Sequence, residues 1–372
     1  MFNFNSCIYL DNASTSRFKP KKVVKAVEKE LTRSANGGRG SHSESLKALM
    51  KVEECREEVC SLVGDKNVVF TKSCTEALNL AIFGSWIKGE IITSVMEHNS
   101  VLRPIERLKS KGAKVKYLNS NDDIITTDLL KRNITKDTTL IVLQEKSNLT
   151  GVTQDIETLG AFIKDYGIPF IVDTAQSMGH VKTNYKDVTM LASPAHKGLH
   201  GMQGTGFLAF NKGVKLMPLI CGGTGTDSHL LTQPTTPPEG YEAGTLGTPG
   251  IRGLKEGIAF TKKHFDKINK KILNLSTALL EELKSLKYIT LYTTYPNGVI
   301  AFNVKEKPST EVADILDKKY NICVRAGLHC APLYHKKLGT INQGAVRVSF
   351  GYNNEYEDVE KVLIALKEIA KG

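Results

Sequence analysis

The chain has 372 residues, 41% of them hydrophobic, which is ordinary for a soluble globular protein and long enough for two domains. No stretch approaches the ~20 apolar residues of a transmembrane helix, and the amino end lacks the basic and apolar regions of a signal peptide, so we expect no membrane association. The net charge is +11, but lysines and acids are interspersed and no basic run alternates with aromatics, which argues against nucleic-acid binding and leaves an acidic protein partner open.

The seven cysteines are scattered along the chain without the spacing of a metal site. An odd number of cysteines cannot all pair in disulfides. The pattern therefore favours a reducing, cytoplasmic environment, with no bound metal.

Short apolar runs alternate with segments of helical periodicity. The predicted strands are residues 68–71, 91–94, 140–143, 170–173 and 206–210. Residues 156–166 are typical of the helices between them. This alternation predicts an α/β domain around a mostly parallel sheet, in which ligands bind at the carboxyl ends of the strands.

Residues 221–250 form a polar stretch rich in Gly, Thr and Pro, and loops of this length are often functional. A long helix is predicted over 251–285, and the remainder resembles a smaller α+β domain. We expect a large domain over 15–255 and a small domain formed by 1–14 and 256–372.

His196 and Lys197 follow an apolar run, 168–172, that ends in Asp173. A lysine can hold pyridoxal phosphate (PLP) as a Schiff base, while a strand-end aspartate faces the pyridine nitrogen. The pair therefore predicts a PLP site.

Residues 71–79 follow a strand and open a helix, which makes them the candidate phosphate site. Free N–H groups and the helix dipole attract an anion there. Ser73 and Glu76 also match a capping box, so a simply well-capped helix is the alternative.

Other polar side chains follow predicted strands. His98 could stack on a pyridine ring and move protons, although a lone histidine is more often structural. Asn148 and Gln176 could donate to the phenolic oxygen of the cofactor, and loop capping is the alternative for both.

Cys330 stands beside His329 and near Arg325, a setting that can lower a thiol pKa and create a nucleophile. Most free cysteines are instead small buried hydrophobes. Arg347 lies in an alternating strand pattern; pointing inward it would need an anion such as a substrate carboxylate, and a solvent-facing arginine fits the pattern equally well.

Taken in order, these segments resemble the class V aminotransferase-like PLP enzymes of fold type I, and within them the cysteine desulfurase and selenocysteine lyase family. The resemblance covers nearly the whole chain. Its motifs are residues 9–15, 75–79, 97–99, 147–148, 173–176, 196–197 and 242–245, and the loop 325–331 is similar to the cysteine loop of group II desulfurases.

The resemblance implies a role for each matching residue. Lys197 would bind the cofactor covalently, Asp173 would pair with the pyridinium and His98 would stack on the ring. Gln176 would approach the phenolic oxygen. Cys74, Thr75 and His196 would complete the cofactor site, and Thr245 would reach the phosphate of a neighbouring subunit. Asn148 and Arg347 would hold the substrate carboxylate, and Cys330 would accept sulfur.

The chain departs from the family pattern at three places. Pro194 stands three residues before Lys197, where serine is common, with Ser193 one residue earlier. Glu145 and Lys146 replace a histidine and a small residue. Cys74 replaces the usual Thr or Ala.

The predicted activity is conversion of L-cysteine to L-alanine with transfer of sulfur to Cys330 as a persulfide. Alternatives are a lyase acting on L-selenocysteine, a transaminase, a β-eliminating C–S lyase and a non-catalytic partner in sulfur metabolism. The resemblance also implies a homodimer and a sulfur-acceptor protein as partner.

Overall fold

The computed structural model describes residues 7–37 and 40–371. Residues 1–6 of the predicted small domain lie outside the described residues. The helices are α1 (Lys21–Thr32), α2 (Ser43–Val63), α3 (Cys74–Ser85), α4 (Asn99–Lys109), α5 (Thr127–Asn133), α6 (Ile156–Lys164), α7 (Thr248–Ser285), α8 (Ser309–Tyr320), α9 (Pro332–Lys337) and α10 (Tyr356–Ile369). The strands are β1 (Ile8–Tyr9), β2 (Lys66–Thr71), β3 (Glu90–Ser94), β4 (Lys114–Leu118), β5 (Thr138–Gln144), β6 (Phe170–Asp173), β7 (Met190–Pro194), β8 (Gly206–Asn211), β9 (Ile289–Leu291), β10 (Val299–Val304), β11 (Ile322–Cys323), β12 (Arg325–Gly327) and β13 (Ala345–Ser349).

The chain divides into two compact units. The first unit comprises Lys19–Glu145 and Gln154–Lys263. The second comprises the described parts of Met1–Phe18, Lys146–Thr153 and His264–Gly372. Helix α7 crosses the boundary, so its residues contribute to both units.

The first unit contains a seven-stranded sheet in the order β2-β8-β7-β6-β5-β3-β4. The five strands from β7 to β4 are parallel, whereas β8 runs antiparallel to both β2 and β7. Strands β3, β6 and β7 are buried along their whole length, as expected for parallel strands covered on both faces. The mostly parallel sheet predicted from the sequence is confirmed, and all five predicted strands lie within it.

Two strands of this sheet were not predicted. β7 contains Ser193 and ends in Pro194, and neither residue favours a strand. β4 alternates lysine with apolar residues and stands at the sheet edge, where only part of it is buried.

The second unit contains an antiparallel sheet in the order β12-β13-β10-β9 and a parallel pair, β1 and β11. Strands β10 and β13 are fully buried. Helices α8, α9 and α10 belong to the same unit, which has the α+β character expected from the sequence.

The start of α3 follows the predicted pattern in part. Ser73 is the N-cap, and its Oγ accepts from the Glu76 amide at 3.1 Å. The Glu76 carboxylate accepts from the amide of Lys72 at 3.1 Å, one residue before the position that a capping box requires. The reciprocal half of the predicted box is therefore wrong, although the helix begins where expected.

The long helix α7 begins at Thr248, three residues before the predicted start. No helix among residues 7–37 and 40–371 is both long and apolar enough to span a bilayer.

Candidate active site

Two candidate cofactor residues of the first unit lie at the carboxyl ends of neighbouring strands. Asp173 ends β6, and Lys197 lies three residues beyond the end of β7. β6 and β7 are parallel neighbours, with Asp173 opposite Ala192. The carboxyl ends of the two strands therefore bring the predicted lysine and aspartate to the same region.

Asp173 is a buried carboxylate. Its Oδ1 accepts from the amide of Ala175 at 2.9 Å and from Sγ of Cys74 at 3.7 Å. Burial raises the pKa of Asp173, while the Ala175 amide and the positive charge of Lys197 act to lower it.

The turn that carries Lys197 is fixed by backbone hydrogen bonds. The amide of His200 donates to the Lys197 carbonyl at 2.9 Å, and the amide of Gly201 donates to the Ala195 carbonyl at 2.8 Å. A Cβ at Gly198 would lie 2.2 Å from the carbonyl oxygen of Met178, so only glycine allows this approach.

His196 is surrounded by positive charge. Lys19 Nζ donates to the His196 carbonyl at 3.4 Å. Burial, together with Lys197 and Lys19, lowers the pKa of His196 to about 4, so the imidazole is neutral at neutral pH. Burial also lowers the pKa of Lys19 to about 8.

The amino end of α3 lies against β8. A Cβ at Gly206 would lie 2.7 Å from the carbonyl carbon of Ser73 and 2.9 Å from the amide nitrogen of Cys74. Gly206 is also the register partner of both Thr71 and Pro194. The missing side chain therefore lets the helix start approach the end of β7, the arrangement that an anion site needs.

Thr75 and His98 are connected through Ser100. The Ser100 hydroxyl lies 2.8 Å from Oγ1 of Thr75 and 3.0 Å from Nδ1 of His98. Nδ1 also accepts from the Ser100 amide at 3.0 Å, which makes His98 the N-cap of α4. An accepting Nδ1 assigns the proton of the neutral ring to Nε2.

Glu97 is a buried acid for which the sequence predicted no role of its own, beyond its place in the motif 97–99. Its side chain bonds to Oγ of Ser94 at 2.5 Å and accepts from the amide of Gln144 at 2.8 Å. Burial raises the pKa of Glu97 well above its usual value, and the charge of Asp173 raises it further. The sequence feature that could have identified Glu97 as a site residue is its position after β3, directly before His98.

The residues that depart from the family pattern at 145, 194 and 74 each fit their immediate surroundings. Buried Glu145 accepts from the hydroxyls of Tyr185, at 2.8 Å, and Thr183. Pro194 closes β7, where its missing N–H removes one donor, and the Ser193 side chain is fully buried. Burial raises the pKa of the Cys74 thiol well above its usual value, so Cys74 is a neutral thiol here.

Two further predicted cofactor residues lie in the first unit. Gln176 is buried in the segment after β6. Thr245 is exposed and, with Arg56 and Glu242, lines a cavity of about 530 Å³. Arg56 binds Glu242 through two parallel contacts of 2.9 and 3.1 Å, which anchor the segment leading to Thr245.

Arg347 belongs to the second unit and is fully buried in β13. Its Nη2 donates to Asp11 Oδ1 at 2.7 Å and to Ser14 Oγ at 2.9 Å, and its Nη1 donates to the Asn148 carbonyl at 2.8 Å. Its Nε is buried without a hydrogen-bond partner in the described part of the chain. The sequence left open whether Arg347 points inward or toward solvent. The structure shows that it points inward, where the Asp11 carboxylate is its anionic partner.

Cys330 is held in a loop of unusual backbone conformation. His329 and Cys330 have φ of 50° and 57°, in the left-handed region that side chains other than glycine rarely adopt. Arg325 Nη2 donates to Cys330 Sγ at 3.8 Å, and Asn148 Nδ2 donates to the His329 carbonyl at 2.7 Å. Asn148, Arg347 and Cys330 therefore belong to one hydrogen-bonded cluster.

His329 contributes no positive charge beside Cys330. Its ring is buried and stacked on His335, with centroids 5.8 Å apart. Burial, aided by Arg347 and Arg325, lowers the pKa of His329 to about 2. The cation that contacts the sulfur is Arg325, one of the two neighbours expected from the sequence to act on the thiol.

Comparison with known proteins agrees with this arrangement. The sequence matches the family described as aminotransferase class-V over residues 8–362. A probable cysteine desulfurase of Pyrococcus abyssi is 38% identical, over 98% of this chain and 94% of its own length. A probable cysteine desulfurase of Methanothermobacter thermautotrophicus is 32% identical over the same shares of the two chains.

Solved structures give the same result for the fold. A cysteine desulfurase from Thermococcus onnurineus superposes with a TM-score of 0.90 at 36% identity, covering 98% of this chain and 95% of that one. The Escherichia coli cysteine desulfurase CsdA gives a TM-score of 0.88 at 26% identity, over 98% and 95% of the two chains. The fold is that of the fold type I PLP-dependent transferases. The chain belongs to the class V aminotransferase family.

Proposed function

We propose that this protein is a PLP-dependent cysteine desulfurase that converts L-cysteine to L-alanine and transfers the sulfur to Cys330. The observation that carries the proposal is the full-length similarity to proteins named cysteine desulfurase, combined with a cysteine loop tied by hydrogen bonds to a buried arginine. The family is PLP-dependent.

The residues of the first unit fit PLP. Asp173 is a buried carboxylate whose pKa is raised by burial and lowered by a nearby cation, which is the setting that a pyridinium partner needs. Gly206 leaves room at the amino end of α3, where free amides can bind a phosphate. Lys197 would hold the cofactor, with Thr75, Cys74, His196, Gln176 and His98 around it.

When bound, the cofactor supplies an electron sink for the charge left at the substrate Cα. Lys197 would remove the proton at Cα and later return a proton. Asp173 would keep the proton on the pyridine nitrogen. His98, with its proton on Nε2, would exchange a proton with the substrate sulfur.

The second unit would bind the substrate carboxylate and accept the sulfur. Arg347 has a buried Nε still to be satisfied, and the amide nitrogen of Asn148 carries a second hydrogen besides the one given to His329. The Cys330 thiolate would attack the substrate sulfur, so that an S–S bond forms and the Cβ–S bond breaks. L-Cysteine and one thiol thereby give L-alanine and one persulfide.

Product analysis tests this reaction class. With L-cysteine the account predicts L-alanine, whereas pyruvate with ammonia would indicate β-elimination and would contradict the proposal. Replacing Cys330 by Ala separates the closest alternative, because a selenocysteine lyase would retain turnover of L-selenocysteine in that variant.

The proposal extends to two partners. A sulfur-acceptor protein would remove the persulfide sulfur, and the basic surface implied by the net charge of +11 suits an acidic one. A second copy of the chain would place its Thr245 near the cofactor phosphate, in a homodimer located in the cytoplasm.

A further inference from the structure

Two cysteines outside the proposed reaction lie next to each other in the second unit. Cys7 directly precedes β1, and Cys323 ends β11. The two strands are parallel, with Tyr9 opposite Cys323. Because side chains alternate along a strand, Cys7 and Tyr9 share a face, which makes Cys7 the diagonal neighbour of Cys323.

Cys7 lies close enough to Cys323 to raise the pKa of that thiol. Backbone hydrogen bonds fix the strands on either side, from the Ile8 amide to the Asn321 carbonyl at 2.9 Å and from the Leu10 amide to the Cys323 carbonyl at 2.8 Å. The backbone pairing of β1 with β11 therefore fixes the relative positions of the two cysteines.

The charges around the pair differ at its two ends. Arg17 Nη1 donates to Cys7 Sγ, so a cation touches one sulfur. Cys323 Sγ lies 3.7 Å from Asp317 Oδ1. Burial, Cys7 and Asp317 raise the pKa of Cys323 to about 11. A cation therefore contacts the Cys7 sulfur, whereas a carboxylate lies beside the Cys323 sulfur.

Exposure separates this pair from two other cysteines, although Cys60 and Cys330 are half-buried as well. Cys7 and Cys323 are half-buried, so a small reagent can reach them, whereas Cys55 and Cys74 are buried. Cys221 is exposed and serves as a comparison for simple accessibility.

We propose that Cys7 and Cys323 form a reversible redox pair that a low-molecular-weight disulfide, such as oxidised glutathione, converts into an intramolecular disulfide. The Cys7 thiolate attacks the small disulfide and releases one thiol. The Cys323 sulfur, after losing its proton, attacks Cys7 Sγ and releases the second thiol. Two protein thiols become one disulfide while one small disulfide becomes two thiols.

The position of the pair connects it to the cluster around Cys330. β1 leads within two residues to Asp11, which holds Arg347. β11 leads within two residues to Arg325, which contacts Cys330. A Cys7–Cys323 disulfide would tie together the two backbone segments that deliver these side chains.

The test is disulfide mapping of the full-length protein. Reduced protein is incubated with oxidised glutathione in the absence of L-cysteine, alkylated, digested without reductant and analysed by mass spectrometry. We expect a peptide pair linked through Cys7 and Cys323, reversed by dithiothreitol. Separate alkylation of both cysteines, under conditions where Cys221 acquires glutathione, would overturn the proposal. Because no substrate is present, the outcome is independent of the proposed desulfurase activity.

Three variants test the order of the steps. In Cys323→Ser, glutathione should remain attached to Cys7; in Cys7→Ser, Cys323 should stay largely unmodified. Arg17→Met should slow formation of the disulfide about threefold to tenfold, because it removes the cation that contacts the attacking sulfur. An unchanged rate in Arg17→Met, or adducts chiefly on Cys323, would contradict the assignment of Cys7 as the attacking thiol. Circular dichroism of each variant checks that the fold is intact.

Discussion

Glu97 is the buried acid closest in sequence to the proposed ring-stacking histidine. Because its pKa is raised in the folded state, the protonated carboxyl is favoured there, whereas the unfolded chain ionises near pH 4.3. As the pH rises above that value, the unfolded state gains stability relative to the folded one. Glu97 therefore lowers the free energy of unfolding increasingly between pH 4.3 and its own raised pKa.

Replacement of Glu97 by Gln should reverse this effect. Ser94 and the Gln144 amide both donate to the Glu97 side chain; glutamine has nearly the same shape, keeps one acceptor oxygen for them and does not titrate. We expect Glu97→Gln to gain stability relative to the natural protein as the pH rises from 5 to 8. Glu97→Ala, which leaves both partners unsatisfied, should cost about 2–4 kcal/mol.

Urea unfolding of the three proteins at pH 5 and pH 8 measures the difference. A constant gap between the Gln variant and the natural protein at both pH values would show that Glu97 does not titrate as described. Equal stabilities of the Gln and Ala variants would show that its hydrogen bonds contribute little.

Single residues at strand ends were the most predictable part of the site. Lys197, Asp173 and His98 follow apolar runs, and parallel topology places the ends of β6 and β7, which carry Asp173 and lead to Lys197, side by side. Asp11 was not foreseen as the partner of Arg347, because the two lie 336 residues apart and only the folded second unit joins them. The neutrality of His329 likewise depends on its burial, which the sequence does not reveal.

The contact between α3 and β8 depends on one glycine. A methyl group at Gly206 would meet the backbone of Ser73 and Cys74 below 3.0 Å, so the helix start would have to move. We expect Gly206→Ala to lose about 1–3 kcal/mol of stability and to weaken PLP binding at least tenfold. Titration of the apoprotein with PLP, followed by absorbance, measures the affinity.

Gly222→Ala is the matched control, because a Cβ there meets only Ala243 at 3.8 Å. Its PLP affinity should equal that of the natural protein. Equal affinities of the Gly206 and Gly222 variants would argue against α3 as the phosphate site.

The segment before Thr245 is anchored by a buried ion pair. Glu242 binds Arg56 in parallel contacts and accepts from the Phe70 amide at 2.6 Å, while Arg56 lies over the Phe70 ring. Glu242→Gln would leave the buried Arg56 cation with the more exposed Glu53 as its remaining ionic partner, with an expected loss of about 3 kcal/mol.

Thermal unfolding provides the measurement, with Asp65→Asn as control. Asp65 pairs with Lys212 on the surface, and its side chain is 83% exposed, so its loss should be hardly measurable. Similar destabilisation by both substitutions would mean that burial does not strengthen the Arg56–Glu242 pair.

Elements of the first unit were easier to predict than those of the second. Parallel strands buried on both faces give continuous apolar runs, and three of them, β3, β5 and β6, were recognised, together with the antiparallel strands β2 and β8. β1 and β11 each contain two residues, and their pairing joins segments that lie far apart in the sequence, Ile8 with Ile322 and Tyr9 with Cys323. Such short, distant pairings leave no local periodicity to detect.

At the scale of the whole molecule, the exposed Thr245 suggests a second subunit. The cavity of about 530 Å³ beside it is lined mainly by small and apolar side chains such as Ala35, Leu49 and Val52. We expect a homodimer at micromolar concentration, measured by light scattering after size-exclusion chromatography. Full activity in a particle of monomer mass would contradict the proposed contribution of Thr245 across subunits.

The most direct test of the account follows the sulfur atom. The natural protein with PLP is incubated with L-cysteine, alkylated without reductant, and examined by intact mass and peptide mapping, beside Cys330→Ser and Cys221→Ser. The account predicts one added sulfur atom on the peptide that carries Cys330 in the natural protein and in Cys221→Ser, none in Cys330→Ser, and L-alanine as product. Persulfide on another cysteine, or an unmodified Cys330 while L-alanine accumulates, would contradict it.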